Sequence, residues 1–298
     1  MSQQGSVAPR RHGRRRRPKA SARPSQHEDV VVAPAFAEAL CEIRQLLDSP
    51  ELADQGRGIE AMRGQVWPLA RHREGCYLVQ AALERASLRE LGDIVYELHG
   101  HVLQACSCYH ANYVVQRAIQ ASPTTMTEFV SEELHGIAPV VARHRVGCRI
   151  LVRLLEHGAA VASIVHELLL DGGSLSRHRY GHHVMVALCE HGSPDQKSEV
   201  ARLLCTDADA CYLACHRDAG YVVEAAIRNS GIAADDLKRA LLDDPGRLAQ
   251  SPTGCYALVA MLSTSQGDVH TAVARALTSQ RYILRQSSAG RSVEEILY

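Results

Sequence analysis

One short pattern returns six times at nearly constant spacing. Gly75 opens the run Cys76-Tyr77-Leu78-Val79-Gln80, and Ala111 opens Asn112-Tyr113-Val114-Val115-Gln116. Gly147 then opens Cys148-Arg149-Ile150-Leu151-Val152, and Gly181 opens His182-His183-Val184-Met185-Val186. Ala219 precedes Gly220-Tyr221-Val222-Val223-Glu224, and Gly254 precedes Cys255-Tyr256-Ala257-Leu258-Val259. The spacings are 36, 36, 34, 38 and 35 residues. A period in this range specifies a stack of supersecondary units, each burying its apolar face against the next, rather than one closed core.

The units read as helical. A first helix ends near a glycine, as in Val95-Tyr96-Glu97-Leu98-His99-Gly100. A short segment follows, such as Val102 to Cys106, and a second helix starts eleven residues after that glycine. The same interval separates Gly64 from Gly75 and Gly136 from Gly147. In the third copy Ile150, Leu151, Leu154 and Leu155 form a two-sided apolar strip, so the helix is wedged between neighbours with one edge open. Residues one and five of each run lie four apart and share a face, with residue two beside them. That edge is expected to be open in every copy.

Residues 1–33 lack periodicity and are expected to be a disordered basic arm. The repeat domain is expected over 34–298, with a cap helix in 34–54, six repeats in 55–262 and a degenerate seventh copy or C-terminal cap in 263–298. The cap helix is placed near Phe36 to Leu47, with Phe36, Leu40, Ile43 and Leu47 on one stripe. Ser263 to Ser279 reads as the next first helix, and Gly290 lies 36 residues after Gly254 but lacks the expected side chains.

Charge is unevenly placed. Residues 1–27 hold eight basic residues, among them Arg14 to Arg17, and no acid. The rest holds 25 basic and 33 acidic residues, a net of −8. A polyanion would therefore be held by a local patch or by the arm, not by the body at large. The ten cysteines form no CxxC pair, which argues against zinc and for reduced, mostly buried thiols of an intracellular protein. His178 and His182 lie four apart without a third ligand, so neither metal nor cofactor is expected. No stretch is long and apolar enough for a membrane span, and GxSxG, Walker and HExxH signatures are absent, so catalysis is not expected.

The second residue of every run is flat: Tyr77, Tyr113, Arg149, His183, Tyr221 and Tyr256. Only 13 residues in the chain are Phe, Trp or Tyr, and four stand here. Such a row suits stacking on unpaired bases. Positions one and five (Cys76 and Gln80, Asn112 and Gln116, Cys148 and Val152, His182 and Val186, Gly220 and Glu224, Cys255 and Val259) would meet base edges. Gln80 and Gln116 carry a donor and an acceptor, Glu224 only accepts, and the valines do neither. Basic clusters recur before these helices: Arg71-His72-Arg73, Arg143-His144-Arg145, Arg177-His178-Arg179 and His216-Arg217. They are expected to line phosphates.

These residues resemble the Pumilio family of RNA-binding repeat proteins. Asn112-Tyr113-Val114-Val115-Gln116 is similar to the family's uracil-reading core, Cys76 with Gln80 to an adenine reader, and Gly220 with Glu224 to a guanine reader. The stretch His144 to Arg149 with Leu155-Glu156-His157-Gly158 resembles a whole second helix. The resemblance covers about residues 55–260. It implies an all-α, right-handed, crescent-shaped α-solenoid of three-helix repeats, and a monomer that binds single-stranded mRNA in its 3′ untranslated region. Running antiparallel to the protein, the site would read, 5′ to 3′, any base, G, any base, A or any base, U, A. The family role implied is control of mRNA translation or decay in the cytoplasm, with protein partners on the convex face. Two other readings stay open. One is a nuclear or nucleolar relative in rRNA processing, using Arg14–Arg17. The other is a protein scaffold of the HEAT or armadillo kind.

Overall fold

The computed structural model describes residues 34–157, 161–206, 209–265, 267–286 and 288–297. The basic arm, residues 1–33, lies outside them. Every described element is a helix. The inner helices are Gly75–Arg85, Ala111–Ala121, Gly147–His157, Gly181–His191, Ala219–Asn229 and Pro252–Thr264. Each packs on the next, and Ser288–Leu297 closes the row against the sixth. At the other end Pro34–Asp48 packs on Leu52–Glu60 and on the first inner helix, burying Leu40, Ile43 and Leu47. The architecture is an α-solenoid of three-helix repeats with both row ends covered.

The wedge predicted for the third copy is present: Ile150, Leu151, Leu154 and Leu155 are all buried. Outer helices such as Leu88–Tyr96 and Glu128–Leu134 form a second row, and short helices such as Val102–Ala105 and Ala138–Ala142 join the two. Two boundaries differ from expectation. The outer helix Leu52–Glu60 runs across the 54/55 boundary, and the seventh outer helix starts at Asp268 because Pro252–Thr264 continues through Ser263.

The recurring glycines have a specific partner. Gly64, Gly100 and Gly136 adopt φ of 74°, 77° and 81°, a left-handed turn that glycine takes without strain. Each turn is held by a glutamate from the following repeat. Glu97 accepts from the Gly64 and Val66 N–H groups at 2.6 and 3.0 Å, and Glu133 accepts from Gly100 and Val102 at the same distances. Glu167 accepts from Gly136 and Ala138 at 2.7 and 3.1 Å. Each carboxylate thus satisfies amides that begin a short helix, where the helix dipole also favours negative charge. The clamp stops there. In the fourth copy Gly172 packs under Leu203, whose Cδ1 is 2.7 Å from where a Cβ would stand. In the fifth and sixth, Asp209 and Asp244 cap their own short helices instead.

Candidate nucleic-acid interface

The second residue of each run points away from the packed row. Tyr77, Tyr113, Tyr221 and Tyr256 are 69, 44, 52 and 44% exposed, and Arg149 and His183 are exposed with them. Burying only their stems leaves six flat surfaces on one side of the inner helices. Arg149 Nη1 donates to Tyr113 Oη at 3.0 Å, which ties the guanidinium to the neighbouring ring. Partial burial of its ring, with adjacent His182, holds the His183 imidazole below its ordinary value against the opposing pull of Asp218. The neutral ring is therefore favoured at that platform.

Position one is a correction. It was expected on the open edge with position five, but Cys76, Asn112, Cys148, His182, Gly220 and Cys255 are all buried. The side chain sits on the first helical turn and folds back on the carbonyls of the entering loop. Asn112 Nδ2 donates to the Cys108 and Tyr109 carbonyls at 2.8 and 2.9 Å. Cys76 Sγ donates to Arg73 O at 3.2 Å, and burial pushes its thiol up to about 11. Burial raises Cys148 likewise. His182 Nδ1 lies 3.1 Å from His178 O. At Gly220 the Ala214 carbonyl and the Thr253 methyl fill the space a side chain would need.

Position five lies half open in five copies, whereas Gln116 is buried. Gln80 Nε2 donates to Cys76 O and Gln116 Nε2 to Asn112 Oδ1, both at 2.9 Å. Each amide therefore turns a donor inward, and Oε1 makes no hydrogen bond among the described residues. Glu224 shares one oxygen with Arg228 Nε at 3.0 Å. Val152, Val186 and Val259 are half-buried and offer apolar contact only.

The basic clusters also divide. His72, His144, His178 and His216 were expected on phosphates. Instead each Nδ1 accepts from two backbone N–H groups at the entry to its inner helix, for example Val146 and Gly147 onto His144 at 3.3 and 3.2 Å. The histidines do the work of an N-cap. His144→Ala is expected to lower stability by about 1 kcal/mol in chemical denaturation, with the asparagine variant closer to the parent. Arg143 turns to Asp171 and Ser174, Arg177 is half-buried, and Arg71 stays exposed. The residues that follow the caps, Arg73, Arg145, Arg179 and Arg217, remain exposed. Arg145 and Arg179 lie over the Tyr109 and Tyr180 rings at 5.1 and 5.5 Å, and Arg217 lies 3.6 Å from Asp218.

A pocket spans the open edges of the first four inner helices. It brings Gln80, Tyr113, Gln116, Arg149, Val152 and His183 together, and Cys148, although buried, still reaches its wall. Arg117, Gln120 and Arg153 line it too. Sequence reasoning missed these three, although they follow position five by one or four residues on the same helices. Arg117 pairs with Glu84 at 3.1 Å, and Arg153 pairs with Glu156. Among the described residues no group of three or more His, Cys, Asp or Glu could hold a metal.

The model of the Pumilio-family RNA binding repeat matches residues 65–99, 101–135, 140–169 and 173–208. The chain carries Pumilio-family repeats. The structure continues the same Pumilio grammar beyond 208, through the inner helices Ala219–Asn229 and Pro252–Thr264. Solved Pumilio domains share the fold along nearly the whole chain. The Puf3 RNA binding domain bound to the Cox17 RNA 3′ UTR recognition sequence site B is 20% identical, with TM-score 0.75, covering 89% of this chain and 84% of that one. PUF-8 in complex with PBE-RNA is 17% identical, with TM-score 0.74, covering 88 and 83%. The RNA-binding domain of yeast Puf5p bound to SMX2 RNA is 15% identical, with TM-score 0.63, covering 89 and 85%.

Proposed function

We propose that this Pumilio-repeat protein binds single-stranded mRNA along the open side of its inner-helix row and regulates that mRNA after transcription, through translation or decay. The row of six exposed flat side chains carries this reading. A core-packing role would bury them, whereas each is open, and in five of the six copies position five beside it is half open. The Puf3, PUF-8 and Puf5p structures, all RNA complexes, support it. The bases stack on position two, and the free Oε1 of Gln80 and Gln116 and the second oxygen of Glu224 meet base edges. Position five and the stack make the contacts, and residue one sets the two glutamine copies apart, holding the amide through the Asn112 side chain in one and the Cys76 carbonyl in the other. The preferred element, 5′ to 3′, is any base, G, any base, A or any base, U, A. The protein acts as a monomeric binding platform without catalysis of its own, and partner proteins meet its convex face in the cytoplasm.

The test is binding to a short single-stranded RNA containing U-A. Tyr113→Ala is expected to lose about 1–3 kcal/mol of affinity, roughly 5- to 150-fold. Gln116→Ala is expected to lose less, about 0.5–1.5 kcal/mol. Unchanged affinity in both would show that the second repeat reads no base.

A further inference from the structure

The outer row holds a groove that the RNA reading does not use. It lies between Leu88–Tyr96 and Glu128–Leu134, and its wall is aromatic. His99 stacks on Phe129 with ring centroids 3.7 Å apart, and Tyr96 leans on His99 at 5.5 Å. Met126 lines it as well, and Glu128 and Glu132 stand along one side. Tyr96 is 74% exposed although nothing in the repeat grammar requires an aromatic there.

The acids around this groove are not equivalent. Glu90 closes a capping box with Ser87, Asp93 pairs with Arg63 at 2.9 Å, and Glu133 clamps Gly100. Glu128 and Glu132 form no ion pair among the described residues. They lie four apart on one helix and so project to one side. An open tyrosine face beside two unpaired carboxylates fits a guanidinium: the plane stacks on the ring and the fork of N–H donors meets the carboxylates.

We propose that this groove docks the chain's own arginine run, Arg14 to Arg17. The arm is the basic complement of an acidic body: eight cations and no acid in residues 1–27, against a net of −8 in the remainder. The reach suffices. Sixteen residues separate Arg17 from Pro34, where the described chain begins, and the seventeen steps between them span up to about 55 Å when extended. The groove lies between the outer helices of the second and third repeats, two to three repeats beyond the cap helix and about 20–30 Å away at ordinary helix spacing. Tethering also raises the arm's local concentration to about the millimolar range, so a modest contact is occupied within one molecule. Docked there, the arm lies on the row opposite the stacking residues.

The experiment places a photo-crosslinking p-benzoylphenylalanine at exposed Thr125 in the full chain and maps the products by mass spectrometry. The expected product joins position 125 to residues 10–23 of the same molecule. Its yield should fall at least ten-fold at 0.5 M salt, and equally in the Glu128→Gln/Glu132→Gln variant. Neither glutamate has a partner to lose, so circular dichroism should be unchanged. A chain with Arg14→Ser, Arg15→Ser, Arg16→Ser and Arg17→Ser leaves the repeat domain intact and should also lose the product. Three results overturn the proposal: no crosslink to the arm, a yield indifferent to these substitutions, or products between labelled and unlabelled copies when the two are mixed.

Discussion

Replacing Tyr77, Tyr113 and Tyr221 together by alanine is expected to remove sequence-selective RNA binding while leaving the fold intact. Each stack contributes about 1–3 kcal/mol, so three independent losses amount to roughly 3–9 kcal/mol. Even the lower figure is about a hundred-fold. Folding should hardly change, because the rings are 69, 44 and 52% exposed and substitutions at such open positions stay within about 0.5 kcal/mol. Titration of a labelled RNA should show only a weak, steeply salt-dependent remainder, the mark of phosphate contacts from Arg73, Arg145, Arg179 and Arg217. Tyr282→Ala is the control. That ring is 77% exposed but lies off the inner row, and its loss should leave affinity unchanged. Equal losses in both would mean that exposed tyrosine anywhere on the surface matters, not the row.

Glu133→Ala is expected to cost more stability than His144→Ala. Its carboxylate holds the Gly100 and Val102 amides, and hydrogen bonds to a charged group contribute about 1.5–3 kcal/mol each. Gly100 is exposed, so water replaces part of its loss, whereas Val102 is fully buried. A net cost of about 2–3 kcal/mol follows, which in a domain of this size is roughly 4–12 °C in melting temperature. Glu133→Gln keeps one acceptor oxygen and should recover about half. The measurement is a thermal melt of all three proteins at one concentration. RNA selectivity should survive at a temperature where each is folded, because Glu133 lies on the outer row.

What was legible in the sequence is what the period alone determines. The eleven-residue interval from Gly64 to Gly75 placed the inner helices, and six flat residues at one register marked the open side. Register does not say where a polar side chain spends its hydrogen bonds. Asn112 and Gln116 share a helix face, as spacing requires, yet Asn112 turns to the Cys108 and Tyr109 carbonyls, which belong to a loop no pattern describes. His144 sits in a basic run and looks like a charge, but its Nδ1 is an acceptor for the next helix. The glutamate clamps were hidden for another reason. Glu97 and Gly64 are 33 residues apart, and only a folded stack shows that one repeat's carboxylate faces the previous repeat's turn. Their spacing to Glu133 and Glu167 was visible without indicating a use.

The clamps also divide the chain by how unfolding spreads. In a linear array, cooperativity depends on the coupling across each interface. Glu97, Glu133 and Glu167 each tie a turn in one repeat to the helix of the next, so opening either side strands buried amides in the other. The first four repeats should therefore lose structure as a unit. Beyond Gly172 the Asp209 and Asp244 carboxylates cap their own short helices, and the links to the next repeat are an exposed Arg247–Asp209 pair at 2.8 Å and thiol contacts from Cys211 and Cys215, none of which holds a buried amide. Amide exchange should accordingly report two blocks, with the C-terminal repeats opening at lower free energy while the first four remain closed.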